Sequence, residues 1–243
     1  MRCFLIAVSL LCGCTAANAE CVARSAATRT HLVELFTSEG CSSCPPADAW
    51  LRGLRASDAL VALEWHVDYW DALGWPDRFD DARYTARQRE LAARSDKDIV
   101  YTPEVALDGH EWRDWGGDLP PSSENRASGN LNLHVIPGQP LRVALQSTMS
   151  PLVERSGYRA YFVVTEDGLS SAVRAGENDG VVLHHNHTVR AFAGPLPLDR
   201  AQAELRLPTD LRTQNASVIA FVQDPRTGTI AQVVRQPLAR CPR

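Results

Sequence analysis

The sequence predicts an α/β N-terminal half joined to an all-β, antiparallel sandwich-like C-terminal half. Three observations carry this reading. Residues 31–37 and 59–67 read as strands on either side of a helical stretch, the spacing of a βαβ unit with parallel strands. Beyond residue 130, seven strand-like runs follow one another with turn signals and no helical pattern between them. Between the halves, residues 116–130 are rich in Gly, Pro and Ser, the best boundary in the chain.

Residues 31–37 alternate apolar and polar side chains with the period of a strand. Ser38-Glu39-Gly40 supplies a turn, and Cys41-Ser42-Ser43-Cys44 follows. Pro45 and Pro46 suit the first turn of a helix, where a missing N–H costs nothing. Ala47, Trp50, Leu51 and Leu54 then recur at helical spacing and give that helix one apolar face. Residues 59–67 are apolar almost throughout, which suits a strand covered on both faces. Residues 71–81, with Gly74 and Pro76, form a loop, and 82–95 a polar-rich helix with Tyr84, Leu91 and Ala92 turned inward. A strand over 104–107 and a hairpin turn at Asp108-Gly109 close the first half. The later strands fall at 131–136, 140–147, 158–165, 181–192, 201–207, 216–223 and 228–235. The expected layout is a leader over 1–19, an α/β domain over 28–118, a linker over 119–130 and a β-rich domain over 131–240.

The chain has 243 residues, a formal net charge of −4 and a pI near 6.0, so no basic surface is offered to a nucleic acid. No apolar run approaches the roughly 20 residues of a membrane span except at the N-terminus. There, Arg2, the apolar stretch 4–11 and Ala17-Asn18-Ala19 have the order of an export signal with cleavage after Ala19. A competing pattern is Leu11-Cys12-Gly13-Cys14, a lipobox in which Cys14 would carry the lipid. Either reading sends the chain to the periplasm or outside the cell, with membrane contact only through a lipid on Cys14.

Export governs how the cysteines read. Of seven, Cys3, Cys12 and Cys14 belong to the leader or the lipid, which leaves Cys21, Cys41, Cys44 and Cys241. An even number in an oxidising compartment invites pairing. Cys41 and Cys44 are natural partners. Cys21 and Cys241 lie near the two mature ends, where a bridge and two free thiols are both compatible with the sequence.

The Cys41–Cys44 pair falls between a strand and a helix, where unpaired N–H groups stabilise a thiolate. On this reading Cys41, at the solvent edge, attacks, and Cys44, one turn inside, resolves the mixed disulfide. Structural zinc lacks a second cysteine pair, and haem attachment needs a His where Pro45 stands. An inert crosslink is the serious rival, although so short a loop gains little from closure. Both parallel strands end on the same sheet edge, so His66 and Asp68 emerge beside the dithiol. One of them is placed to take the proton of Cys44, His66 being the better base near neutral pH. The plainer reading makes His66 a satisfied core histidine and Asp68 a loop cap. Trp70 and Trp75 either wall the site or pack against the core. Thr102-Pro103 precedes a strand, and an X-Pro bond is the one common carrier of cis geometry. His184, His185 and His187 form the densest histidine cluster. His185 and His187 would share a strand face as two ligands for copper or zinc, against the commoner reading of a solvated strand end. The sequence assigns no metal and no cofactor.

Three separated motifs resemble one family. Leu35-Phe36-Thr37-Ser38-Glu39-Gly40-Cys41-Ser42-Ser43-Cys44-Pro45-Pro46-Ala47-Asp48, the run from His66 to Trp75, and Tyr101-Thr102-Pro103 look like the bacterial secreted thioredoxin-like family known as domain of unknown function 1223. Gly176-Glu177-Asn178-Asp179-Gly180 and the stretch from His185 to Arg190 extend the similarity into the β-rich half. The resemblance implies a thioredoxin-like α/β domain with an appended β domain, and a cis bond at Thr102–Pro103. It implies no substrate. The chain departs from a thioredoxin-like pattern after Trp115, where a short polar stretch stands in place of a closing helix.

The expected activity is that of an exported thiol–disulfide oxidoreductase. Its partners are protein or small-molecule thiols and disulfides and a redox partner in the envelope. Cys41 is the nucleophile and Cys44 the resolving thiol; Thr102, Pro103 and Trp70 hold substrate, and His66 or Asp68 assists proton transfer. Two alternatives stand beside it: a copper-binding or delivery protein using the dithiol and the histidines, and an envelope interaction module whose Cys41–Cys44 bridge never turns over.

Overall fold

The structure is a computed structural model that describes residues 20–95, 99–117, 119, 127–151 and 157–242. The export leader, its cleavage site and the lipobox at Cys14 lie outside these residues, as does most of the 119–130 linker. No helix among the described residues is long and apolar enough to cross a membrane.

Strands β1 (Cys21–Arg24), β2 (His31–Thr37), β3 (Leu60–His66), β4 (Glu104–Leu107) and β5 (His110–Glu111) come first, with helices α1 (Pro45–Gly53) and α2 (Ala82–Arg94) among them. Then come β6 (Gly129–Ile136), β7 (Leu141–Met149), β8 (Arg159–Glu166), β9 (Leu169–Ala172) and β10 (Val182–His185). The chain closes with β11 (Thr188–Pro197), β12 (Gln202–Leu205), β13 (Ala216–Gln223) and β14 (Ile230–Pro237). The 71–81 stretch opens with a 3-10 turn over Asp68–Leu73. The expected strand over 181–192 is broken at Asn186-His187, where His187 takes a positive φ of 61°.

The fold class expected from the sequence, a thioredoxin-like α/β domain beside a separate all-β domain, is overturned. The structure is mostly β, and its largest sheet runs in the order β14-β13-β8-β11-β3-β2-β4-β5. The parallel β2–β3 pair does exist, in register from His31–Leu60 to Thr37–His66. The far edge of β3, however, pairs in parallel with β11 at Glu64–Thr188, so one sheet continues from the first half into the second. The physical reason lies in β3 itself. A strand buried along its whole length cannot leave its outer edge bare, and β11 joins that edge at Glu64, whose N–H donates to the His187 carbonyl at 2.9 Å. Strand composition announces burial but not which distant segment supplies the partner.

Register also fixes the layers. Leu35, Glu64, Thr188, Glu166 and Ala216 lie on one line across the sheet and share a face. On that face α1 packs Ala47 and Leu51 over Val33, Leu35 and Ala62. Further along, the sheet β1-β6-β7-β12 packs Leu131, Leu133 and Val143 over Phe162, Val164 and Val218. On the opposite face α2 brings Tyr84 and Leu91 against Phe36, Trp65 and Phe221. Inside this apolar layer Arg87 of α2 meets Glu34 of β2 at 2.6 and 2.8 Å, and Trp65 Nε1 donates to the same carboxylate. The turn at Asp108-Gly109 has φ of 52° and 84°, the left-handed pair a two-residue hairpin demands. A Cβ on Gly109 would stand 1.8 Å from the Gly228 carbonyl oxygen, so no other residue fits there. A disulfide joins Cys21 to Cys241 and ties the first strand to the C-terminus.

Candidate functional site: a capped dithiol above a buried His–carboxylate cluster

Cys41 and Cys44 form a disulfide at the edge where β2 ends and α1 begins. The helix starts later than a reactive Cys41 needs. Cys44 is the N-cap, its carbonyl accepting from Ala47 and Asp48, and Cys41 stands three residues earlier in a turn closed by Cys44 N–H to Cys41 O at 3.2 Å. Pro45 and Pro46 occupy the first helical positions and have no N–H to give. The bundle of free amides expected around Cys41 is therefore absent there, and its Sγ has the Ser43 hydroxyl at 3.3 Å instead. The solvent-edge position expected for Cys41 is also corrected, since both sulfur residues are 0% exposed.

The cover comes from the second half. Strands β9 and β10 form a two-stranded hairpin that reaches α1, and its tip, residues 173–181, lies over the dithiol turn. Asn178 Nδ2 donates to the carbonyls of Glu39 and Cys41, each at 2.9 Å. Glu177 accepts from the amide and hydroxyl of Ser42 at 3.1 and 2.7 Å, bonds that hold its carboxyl below the usual range. Gly176, at φ 73°, permits the turn against Trp75.

On the other side of the dithiol turn, a Cβ on Gly40 would stand 3.3 Å from Trp70 Cβ, and Trp70 Nε1 donates to Thr102 Oγ1 at 2.8 Å. The Thr102–Pro103 bond is cis, and the Phe36–Glu104 register sets Pro103 opposite Thr37, at the same sheet edge as the dithiol. Trp70, Thr102 and Pro103 thus gather near Cys41. Asp68 does not. Its carboxylate accepts from Thr85 Oγ1 of α2 at 2.5 Å, and its amide donates to the same hydroxyl, the loop-cap reading.

His66 points into the protein, as its core-histidine reading has it, and meets two carboxylates there. Its Nδ1 lies 2.6 Å from Asp77 Oδ2 and its Nε2 3.3 Å from Glu64 Oε2. His185 reaches the same place from β10, with Nδ1 3.1 Å from Glu64 Oε1 and Nε2 3.5 Å from Glu39 Oε1. The two rings meet edge to face at 4.9 Å, and Phe79 closes over both. Burial opposes charge on these imidazoles, yet the Asp77 carboxylate holds His66 well above the ordinary histidine range. Glu64 and Glu39 likewise lift His185 to about 9 against its burial. The histidine trio of the sequence is therefore divided. His184 is exposed and gives its carbonyl to Arg52, and His187 Nε2 lies 3.1 Å from the Leu54 carbonyl oxygen, while His185 alone joins the cluster.

Asp48 is the residue that sequence reasoning missed nearest the sulfurs. It follows Cys44 by four residues and so lies on the same helix face one turn inward. Thr37 Oγ1 donates to it at 2.6 Å. Burial, and after it the charge of Glu64, push its carboxyl up to about 7. A carboxylate on the helix face below Cys44 and another in the apolar run of β3 were the available signals; Glu64 has no arginine or lysine within four residues, and Arg52, four residues after Asp48, bonds the His184 carbonyl.

The sequence model of the family described as "Protein of unknown function (DUF1223)" matches residues 32–223. The chain belongs to this family. The DUF1223 match takes in the dithiol, the His–carboxylate cluster and the hairpin tip, and leaves Cys21 and Cys241 outside. No curated protein sequence matches the chain. Two solved structures resemble it. A protein of Agrobacterium tumefaciens superposes with a TM-score of 0.58 at 20% identity, over 90% of this chain and 99% of that one. HBP35 of Porphyromonas gingivalis does so with a TM-score of 0.62 at 14% identity, over 89% of this chain and 77% of its own. At these identities the likeness is one of fold.

Proposed function

We propose that this DUF1223 protein carries out thiol–disulfide exchange at Cys41–Cys44, on protein or small-molecule thiols of an oxidising compartment outside the cytoplasm. The observation that carries the reading is that the hairpin tip is held to the dithiol turn by hydrogen bonds from Glu177 and Asn178. Glu177 and Asn178 bond to main-chain atoms and to Ser42, not to sulfur, so lifting the hairpin tip exposes the disulfide without breaking the sheet. An incoming thiolate then attacks Cys41 Sγ, forms a mixed disulfide and releases Cys44 as thiolate. Asp48, poised near neutrality one turn below, supplies the proton that Cys44 takes up. Attack of that thiol on the mixed disulfide, with the proton returned to Asp48, reverses the step. Trp70 and Thr102-Pro103 border the dithiol where a substrate chain would lie.

The experiment is a trap. A Cys44→Ala variant is expected to accumulate mixed disulfides through Cys41 with envelope proteins and a redox partner. Absence of adducts, together with a Cys41 that resists alkylation, would overturn the proposal. One observation favours a second reading, an inert crosslink: both sulfur residues are fully covered. That reading requires the bridge to resist exchange even when the hairpin tip is loosened.

A further inference from the structure

Three side-chain atoms buried in one place have no hydrogen-bond partner: Glu39 Oε1, His66 Nε2 and His185 Nε2. Their residues are 0%, 0% and 1% exposed. An uncompensated polar atom in such a place is costly, and three in one cluster point to a group that the cluster holds.

The spacing says what it is. His66 Nε2 stands 3.3 Å from Glu64 Oε2, and His185 Nδ1 stands 3.1 Å from Glu64 Oε1. N–H···O bonds prefer roughly 2.7–3.2 Å. Ligands at about 2.0–2.1 Å around a tetrahedral ion stand roughly 3.3–3.4 Å from one another. One ligand atom from each of Glu64, His66 and His185 lies within 4.8 Å of the other two. The outer contacts match as well. Asp77 Oδ2 accepts from Nδ1 of His66, and Glu39 Oε1 faces Nε2 of His185. This directs His66 Nε2 and His185 Nδ1 toward the two oxygens of Glu64, the carboxylate–histidine arrangement that orients metal ligands. Trp75 Nε1 and Thr188 Oγ1 fix the carboxylates of Glu39 and Glu64 at 2.8 and 2.6 Å. Three carboxylates against two imidazoles also leave room for a dication in the charge balance.

We propose that Glu64, His66 through Nε2 and His185 through Nδ1 bind one divalent transition-metal ion beneath the dithiol, with Asp77 and Glu39 behind the two imidazoles, and that imidazole with carboxylate selects Zn2+. The site does not require Cys41–Cys44 to turn over. It is sealed by Phe79, so loading accompanies folding.

The test uses full-length protein with its disulfides intact, which keeps the bridged sulfurs from acting as ligands. It is unfolded in denaturant and refolded with Zn2+ alone. Retention of one equivalent after desalting is expected. In NMR spectra of the same sample, the ring nitrogens of His66 and His185 are expected to shift while those of His110 and His134 stay. H185Q is expected to lose stoichiometric retention, and D77N to bind about 10–100-fold more weakly. Folded protein that retains no Zn2+ overturns the proposal. So does retention with the nitrogens of His66 and His185 unmoved. Should H185Q fail to fold, the spectra of the unsubstituted chain decide the matter alone.

Discussion

Asn178 is the residue on which access to the dithiol turns. Its amide holds two carbonyls of the dithiol turn, those of Glu39 and Cys41, and both bonds are lost in Asn178→Ala. At about 1 kcal/mol per bond, and with 1.4 kcal/mol to a decade, reduction of Cys41–Cys44 by dithiothreitol should quicken roughly tenfold or more. An unchanged rate would mean that the hairpin tip does not gate the bridge. Asp48 sets a pH signature. Its carboxyl ionises near 3.8 when unfolded and about 7 when folded, because burial and the Glu64 charge oppose ionisation while Thr37, His185 and His66 favour it. Between those values the folded chain keeps a proton that the unfolded chain has released. Stability from this group therefore falls as pH rises from about 4 to about 7, and is level above. Asp48→Asn retains an oxygen for Thr37 and removes the charge. In chelator-treated protein its urea midpoint should decline less over that interval than the unsubstituted chain's, and an identical slope would place the titration elsewhere.

At the scale of elements, α1 shows what motif and helix share. Proline at both leading positions makes a good helix start and a poor anion hole, because the residues that preset φ are those without an N–H. The helix was legible from Ala47, Trp50 and Leu51. The consequence for Cys41 was not, since it depends on which residue becomes the N-cap. The same division holds in β3, whose apolar run was legible as a buried strand while Glu64 within it had no visible partner until β10 and β11 brought His185 and Thr188 across more than 120 residues of sequence. His66 and His185 were each nominated for separate reasons, and their meeting depends on pairing that no local period encodes. Across the sheet, Arg87 and Glu34 join α2 to β2 within an apolar layer, with the guanidinium 5.5, 5.2 and 4.9 Å from the rings of Trp65, Tyr161 and Phe221. Arg87→Met leaves the Glu34 carboxylate buried and unpaired, and should cost about 3–5 kcal/mol by urea unfolding. Changing Glu34 to Gln as well should recover part of that loss.

Over the whole molecule, the parallel pair that looked like the heart of a small α/β domain is the middle of a larger sheet. The parallel β2–β3 pair was legible; the pairing of β3 with β11 was not. This continuity explains why the dithiol is covered by a hairpin more than 130 residues away in sequence. The Cys21–Cys241 disulfide closes a loop of 220 residues outside the family match. Replacing both with Ser should lower stability by about 2–5 kcal/mol and leave the chemistry of Cys41–Cys44 unchanged, as read by the rate of its reduction. The most direct test of the account is the reduction potential of Cys41–Cys44, followed by mass spectrometry in defined thiol–disulfide buffers. Exchange chemistry predicts a value between about −120 and −270 mV, the span of proteins that trade disulfides. A value below about −300 mV, where structural bridges lie, would contradict it.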